Sequence, residues 1–560
     1  MQVRGAGAGA VAGLAALLGT GSLLAGCAGG PARGEHQGGT PAAARLVSYD
    51  SCPQFLDQVR AQALAEVGPY GLSSSGSNVS GSGERMALDA PQAAAAATPS
   101  AGTASSGAAA STDSTPSFSS TNVQEAGVDE PDLAKTDGNL LVALRRNDSS
   151  LQVAEVGATP KLRGSLPLSS VVEATGLFLV GTDAVVLGAA PQSAPVPQPL
   201  SGTTSNSSSS SSGSDGLTAP IESYTPSTVV AVVSLADPDH PAVVRTFDVQ
   251  GTEVDARLIA GHIEVVVTSA PTLPFVAPSS SSAPAQAAAL ADNKAIIQMS
   301  QPSDWLPSVT SEPSGVSQTT ACTAAMHPVV ASGLGTVSVV PIDPSATQPG
   351  PEATIVGDAS TVYASATSLY VATTAWTAPS SPPVATGAPS ATGIAAPVPV
   401  PSEQPPASTD IHGFDLANPG APVYVGSAEV DGTLIGQYAM SEYEGYLRVA
   451  TTVGSATPPP NEGVAPTTAS DNRVTILQPQ GGSLVTVGTV SGLGSGEKIY
   501  AVRFIGPLGY VVTFRQTDPL YVLDLHDPHS PQLAGQLELT GYSSFLQPVG
   551  NNLLLGVGQA

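Results

Sequence analysis

Few stretches of this chain carry side chains spaced for chemistry. The densest acidic run holds Glu125, Asp129, Glu130, Asp132 and Asp137, and carboxylates gathered on a loop can coordinate a hard cation such as calcium. Asp129, Glu130 and Asp132 are the calcium candidates, but Pro131 and Lys135 interrupt the run and its spacing is not that of an EF-hand loop. A solvated segment leading into the first folded unit explains the same residues without an ion. His526-Asp527-Pro528-His529 sets two imidazoles beside a carboxylate, as a metal or general base requires. The same phrase reads Ala-Asp-Pro-Asp-His-Pro from Ala236 and Ala-Asn-Pro-Gly-Ala-Pro from Ala417, which is turn chemistry. Trp305, in "QPSDWLPS", is the candidate contact for a glycan or protein ligand; the alternative is that it packs its own loop near Cys322. The chain contains no G-x-S-x-G, no H-E-x-x-H and no Gly-rich phosphate loop after a strand. No catalytic residue is assigned, and no cofactor is implied.

The three cysteines divide by context. Arg4 precedes an apolar Ala/Leu/Gly stretch ending Leu24-Ala25-Gly26-Cys27, the layout of an export signal. That ending resembles the bacterial lipobox, which predicts a lipid on Cys27 of the mature chain; an ordinary signal peptide with a chance cysteine is the alternative. Cys52 and Cys322 remain, a pair that an exporting compartment would oxidise, or else two buried thiols. The net charge of −26 and pI near 4.3 oppose polyphosphate backbones, so nucleic acid is not expected as a partner. Acyl chains, not basic residues, would hold such a surface at a membrane.

These residues must be positioned by short strands. Leu235, Asp237, Pro238, Pro241 and Gly251 recur as Leu525, Asp527, Pro528, Pro531 and Gly541, and again as Leu416, Asn418, Pro419, Pro422 and Gly432. Each phrase is a turn between two strands, and a hairpin precedes each pair, so the unit is four strands, A to D. Strand B starts near Leu140, Ala184, Ile263, Leu369, Leu447, Tyr510 and Leu553. Once low-complexity inserts near 189–226, 270–334, 376–409 and 453–472 are set aside, the period is about 40–45 residues, that of a propeller blade. The fold class is therefore all-β: a beta-propeller of about seven four-stranded blades, the last incomplete in this chain, over residues 119–560. Every insert falls between strands B and C, which predicts that the inserts emerge on one face of the disc. Residues 1–27 read as the signal peptide, 28–45 as a tether, 46–70 as a short helix and 71–118 as a Ser/Ala-rich linker. In the helix Ser51 and Gln54 form a capping-box pattern, and Phe55, Val59, Ala63 and Val67 form its apolar stripe. "FSSTNVQEAGV" could supply one strand to the unfinished last blade.

The run "TNVQEAGVDEPDLAKTDG" from Thr121, the D-P-x-x-P phrases and "TVYASATSLYVATTAW" from Thr361 together resemble the secreted bacterial beta-propeller domain family, distantly related to WD repeats. The resemblance implies fold and export and carries no catalytic residue. Its chains usually continue with further strand phrases, which implies truncation here. The expected function is a binding or scaffolding module, lipid-anchored at the outer face of the cytoplasmic membrane, with an unknown protein or glycan ligand. The rival is an extracellular hydrolase with a dispersed site at the central channel.

Overall fold

The computed structural model describes residues 44–72, 123–191, 218–221, 225–329, 333–357, 361–375, 408–418, 420, 422–454, 470–514, 518–539, 541–549 and 553–559. Cys27, the tether, the Ser/Ala-rich linker and most of three inserts lie outside them.

Antiparallel meanders follow one another along the chain. Blade 1 runs Ala134–Thr136, Leu140–Arg145, Ser150–Glu155 and Lys161–Pro167; blade 2 runs Val172–Val180, Asp183–Ala189, Ser227–Ser234 and Ala242–Gln250. Blade 3 runs Thr252–Ile259, His262–Ser269, Thr336–Ile342 and Ala353–Val356; blade 4 runs Thr361–Ala364, Ser368–Ala375, Ser408–Asp415 and Val423–Asp431. Blade 5 runs Met440–Tyr443, Tyr446–Val453, Asp471–Gln480 and Gly482–Val490; blade 6 runs Lys498–Ile505, Leu508–Phe514, Asp518–Asp524 and Gln532–Leu539. Tyr542–Val549 and Leu553–Gln559 pair as the A and B strands of a seventh unit. The four long connections all leave strand B and return at strand C, so by strand direction they share one face with the D–A turns.

Alternation decides which neighbour each face meets. In strand B of blade 3, Ile263, Val265 and Val267 pack with blade 2 residues such as Leu187 and Val232. Val266, between them, packs toward Val371 and Phe414 of blade 4. Blades buried on both faces give the continuous valine runs of these strands.

The repeated turn phrase seats each blade on the one before it. At Gly164, in strand D of blade 1, an added Cβ would lie 2.4 Å from the Pro238 carbonyl oxygen and 2.7 Å from Pro241 Cδ of blade 2. Gly488 in blade 5 meets Pro528 and Pro531 of blade 6 in the same way, at 2.2 and 2.8 Å. Gly350, just before strand D of blade 3, faces the Gly420 carbonyl of blade 4 at 2.5 Å. Side chains reinforce the seat: Arg163 forks onto Asp239 at 2.7 and 2.8 Å, and Arg245 donates to the Pro344 carbonyl. The turn itself is held by its Asp, whose Oδ1 accepts the N–H two residues on, as Asp237 does from Asp239 and Asp527 from His529.

The 270–334 insert, read above as low-complexity, is a built element. Its helix α2 (Ala283–Met299) starts at Ser282, whose Oγ accepts from the Ala285 N–H. Ser308–Glu312 and Val316–Thr319 extend blade 2 beyond strand D, and Ala325–Pro328 extends blade 3. Helix α1 (Cys52–Glu66) packs beside them with Phe55, Val59 and Ala63 buried, and Leu46–Ser48 adds an outermost strand to blade 3. Gln54 Oε1 accepts from Asp50 N, one residue earlier than a standard capping box. Cys52 and Cys322 form a disulfide that clips this rim module together. The ordering follows from the apolar positions Leu290, Ile296, Ile297, Trp305 and Leu306, which give the insert a core of its own.

Two outcomes test the blade contacts. Gly488→Val should destabilise the domain by about 1–3 kcal/mol, the usual range for overpacking, because the Pro528 carbonyl sits on backbone that cannot step aside; an unchanged urea midpoint would mean the seat is loose. Glu264, buried in strand B of blade 3, accepts from the Gly420 N–H while its Oε2 has no partner among the described residues. Burial pushes its carboxyl up to about 7. The folded state therefore holds a proton that the unfolded chain has released, and stability falls by about 1.4 kcal/mol per pH unit between the two values. Glu264→Gln should gain stability over the parent as pH rises from 5 to 8; parallel midpoint-against-pH curves would refute that.

Candidate functional site

One segment touches the inner edges of successive blades, which locates the axis. Val128 and Asp129 pair with Ile259 and Leu258 of blade 3 strand A, and Asp132 bridges Leu177 of blade 2. Glu125 Oε1 accepts from Tyr363 Oη of blade 4 at 2.9 Å and from Ser441 Oγ of blade 5 at 3.0 Å. Gln124 Nε2 donates to the Gln437 and Met440 carbonyls at 3.1 and 2.9 Å. Residues 123–137 thus thread the channel and then turn outward as strand A of blade 1. The segment is an axial strut and not the solvated lead-in read from sequence, nor does it complete the last unit.

The acidic run is consumed by these contacts. Asp129 Oδ1 holds the buried Lys135 ammonium at 2.7 Å and also caps the Glu130 N–H. Glu130 Oε1 accepts from Gln124 N at 3.4 Å and weakly from Gln437 Nε2 at 3.5 Å. Burial raises its pKa, opposed chiefly by Arg257. Asp132 Oδ1 caps the Leu133 N–H. Among the described residues no three His, Cys, Asp or Glu side chains are grouped to hold a metal ion. Asp129, Glu130 and Asp132 thus serve separate partners.

Around the strut stand arginines that sequence reasoning passed over. Arg257 of blade 3 strand A donates to Asp255 Oδ1 at 2.5 Å, to the Ala256 carbonyl and to Gln437 Oε1. Arg448 of blade 5 donates to the Gly506 carbonyl and to Ser441 Oγ, with its guanidinium 4.8 Å from the Phe504 ring centre. Burial pushes Arg448 down to about 10, still charged at neutral pH. Arg503 of blade 6 lies 5.3 Å from the Tyr438 ring centre, and Phe545 braces that ring edge-on at 5.7 Å. The usable signal was the matching phrases "ARLIAG" at Ala256 and "VRFIGP" at Val502, which put arginine at one position of two units. A cavity of about 110 Å3 opens beside Asp255, Gln437 and Thr361.

The remaining candidates fall elsewhere. Trp305 is 3% exposed, donates from Nε1 to Ser300 Oγ at 2.9 Å and packs with Ile297 and Cys322. It packs within the rim module, the alternative read from the sequence. His526 and His529 are exposed on the C–D turn of blade 6, where Asp527 serves its own backbone.

The Beta propeller domain family pattern matches residues 118–560, from the strut through the seventh unit. This chain belongs to the Beta propeller domain family. Two curated relatives are similar over a shorter stretch. An uncharacterized protein of Methanocaldococcus jannaschii, MJ1554, is 44% identical over 135 residues, 24% of this chain and 20% of that protein. An uncharacterized protein of Archaeoglobus fulgidus is 42% identical over 134 residues, again 24% of this chain and 19% of its own length. The match thus spans about a fifth of each relative, and both relatives are archaeal.

The strut makes a direct prediction about this propeller. Glu125→Ala strands the Tyr363 and Ser441 hydroxyls and should lower stability by about 2–4 kcal/mol, as expected for lost hydrogen bonds to a charged group. Glu125→Gln should recover part of it. Urea midpoints for the two variants check this, and an unaffected Glu125→Ala protein would mean the segment does not seat in the channel.

Proposed function

We propose that this propeller is an exported protein, anchored by lipid on Cys27, that works as a binding or scaffolding module at the outer face of the cytoplasmic membrane. Its ligand, a protein or glycan, would be taken on the face where the long B–C connections emerge. The observation that carries this reading is the commitment of the axial carboxylates: Glu125, Asp129 and Glu130 are bound to Tyr363, Ser441, Lys135, Gln124 and Gln437. A propeller hydrolase would want those carboxylates converging on open space. The long connections, by contrast, hang variable sequence on a rigid disc, the arrangement by which loops bind. The lipobox phrase Leu24-Ala25-Gly26-Cys27 supports the anchor.

Both parts are open to test in a host that processes lipoproteins. The parent chain should incorporate an alkyne fatty-acid label and fractionate with membranes, and Cys27→Ser should lose both. A photo-crosslinking residue at Asn147 or Thr252, exposed on the insert-bearing face, should capture a discrete partner in cells. The same residue at Ala158 or His526, exposed on the opposite face, should not. Equal capture from both faces would overturn the assignment of the binding surface.

A further inference from the structure

Arg257 and Arg503 occupy the same rung of their blades. In blade 3, strand A has its bulge between Glu253 and Asp255, and Arg257 pairs with Glu264. In blade 6 the bulge lies between Ile499 and Ala501, and Arg503 pairs with Tyr510. Residue for residue, Asp255 corresponds to Ala501. Blade 3 therefore carries its own counter-charge two positions before the arginine, at 2.5 Å; blade 6 carries a methyl group there.

The consequence is visible at Arg503. It is 7% exposed, yet among the described residues its guanidinium makes no hydrogen bond and no ion pair, and Nε is sealed from solvent without a partner. Across the ladder Arg503 faces Tyr510, which packs against the Ala501, Val512 and Leu546 cluster between blade 6 and the seventh unit. The Tyr438 ring supplies a π face at 5.3 Å. Glu130 is close enough to feel the charge, but its bonds go to Gln124 and Gln437. A sealed N–H left without an acceptor is costly, and the planar fork of the guanidinium is shaped to receive two oxygens of one oxyanion.

We propose that Arg503 is an anion receptor in the propeller, taking a carboxylate or phosphate group in the place that Asp255 fills in blade 3. This goes beyond the envelope-binding reading, which concerns the insert-bearing face and does not depend on it. Arg503 supplies the charge-assisted hydrogen bonds, Tyr438 holds the guanidinium plane, and Ala501 brings no carboxylate of its own to compete for them.

The test uses the full chain and its own internal template. Acetate and inorganic phosphate are titrated separately by calorimetry against sodium chloride at matched ionic strength, with melting temperature as a second readout. Binding should be seen for at least one anion, with the melting temperature rising by about 2 °C or more near saturation. Ala501→Asp, which restores the counter-charge of blade 3 and keeps the arginine, should weaken binding at least tenfold, as should Arg503→Met. Binding of acetate alone identifies a carboxylate ligand and of phosphate alone a phosphate ligand. No binding of either, or binding that persists in Ala501→Asp, overturns the proposal. Far-UV circular dichroism of each variant separates loss of the site from loss of the fold.

Discussion

Everything in this structure rests on the contact by which one blade's C–D turn sits in a gap on strand D of the blade before it. A four-stranded sheet with two apolar faces has no stable existence alone, so its position relative to its neighbours must be specified. Pro238 and Pro241 over Gly164, and Pro528 and Pro531 over Gly488, specify it sterically. The proline fixes the turn, the glycine removes the one Cβ that would collide, and the valine faces then meet in register. That is why the phrase recurs in the sequence: each copy is half of a joint.

Given those joints, the connections between strands B and C are free to vary. Closure entropy grows slowly with loop length, so a long connection adds little cost once strands B and C are held by their neighbours. One insert has gone further and become structural. Residues 270–334 carry enough buried apolar side chains to form α2 and to lengthen two blades outward, and the Cys52–Cys322 bond fastens helix α1 to the same rim.

The blades were legible because strand alternation and the turn phrase are local signals. Strand B was expected at Leu140, Leu369 and Leu553 and is found at Leu140, Ser368 and Leu553. The capping serine, the apolar stripe of α1 and the cysteine pair were equally legible, being short-range patterns or simple counting. The channel was not. The partners of Glu125 stand hundreds of positions away at Tyr363 and Ser441, and nothing in the spacing of an acidic run distinguishes a ligand set from a row of separate contacts. Trp305 could be read both ways from its polar surroundings, and it packs with Ile297 and Cys322, the alternative that its neighbourhood in sequence already offered.

The axial strut also bears on how the molecule is made. Residues 124–129 leave the ribosome before the blades they join, yet the side chains of Gln124 and Glu125 complete their bonds only when Met440 and Ser441 have been synthesised, 316 positions later. Early blades can pair their own strands as they appear, but the core of the ring stays unlocked until the fifth has arrived. Such contacts, with their large sequence separation, make the final locking slow relative to hairpin formation. The strut, made before the blades it joins, cannot complete its contacts until blade 5 is present.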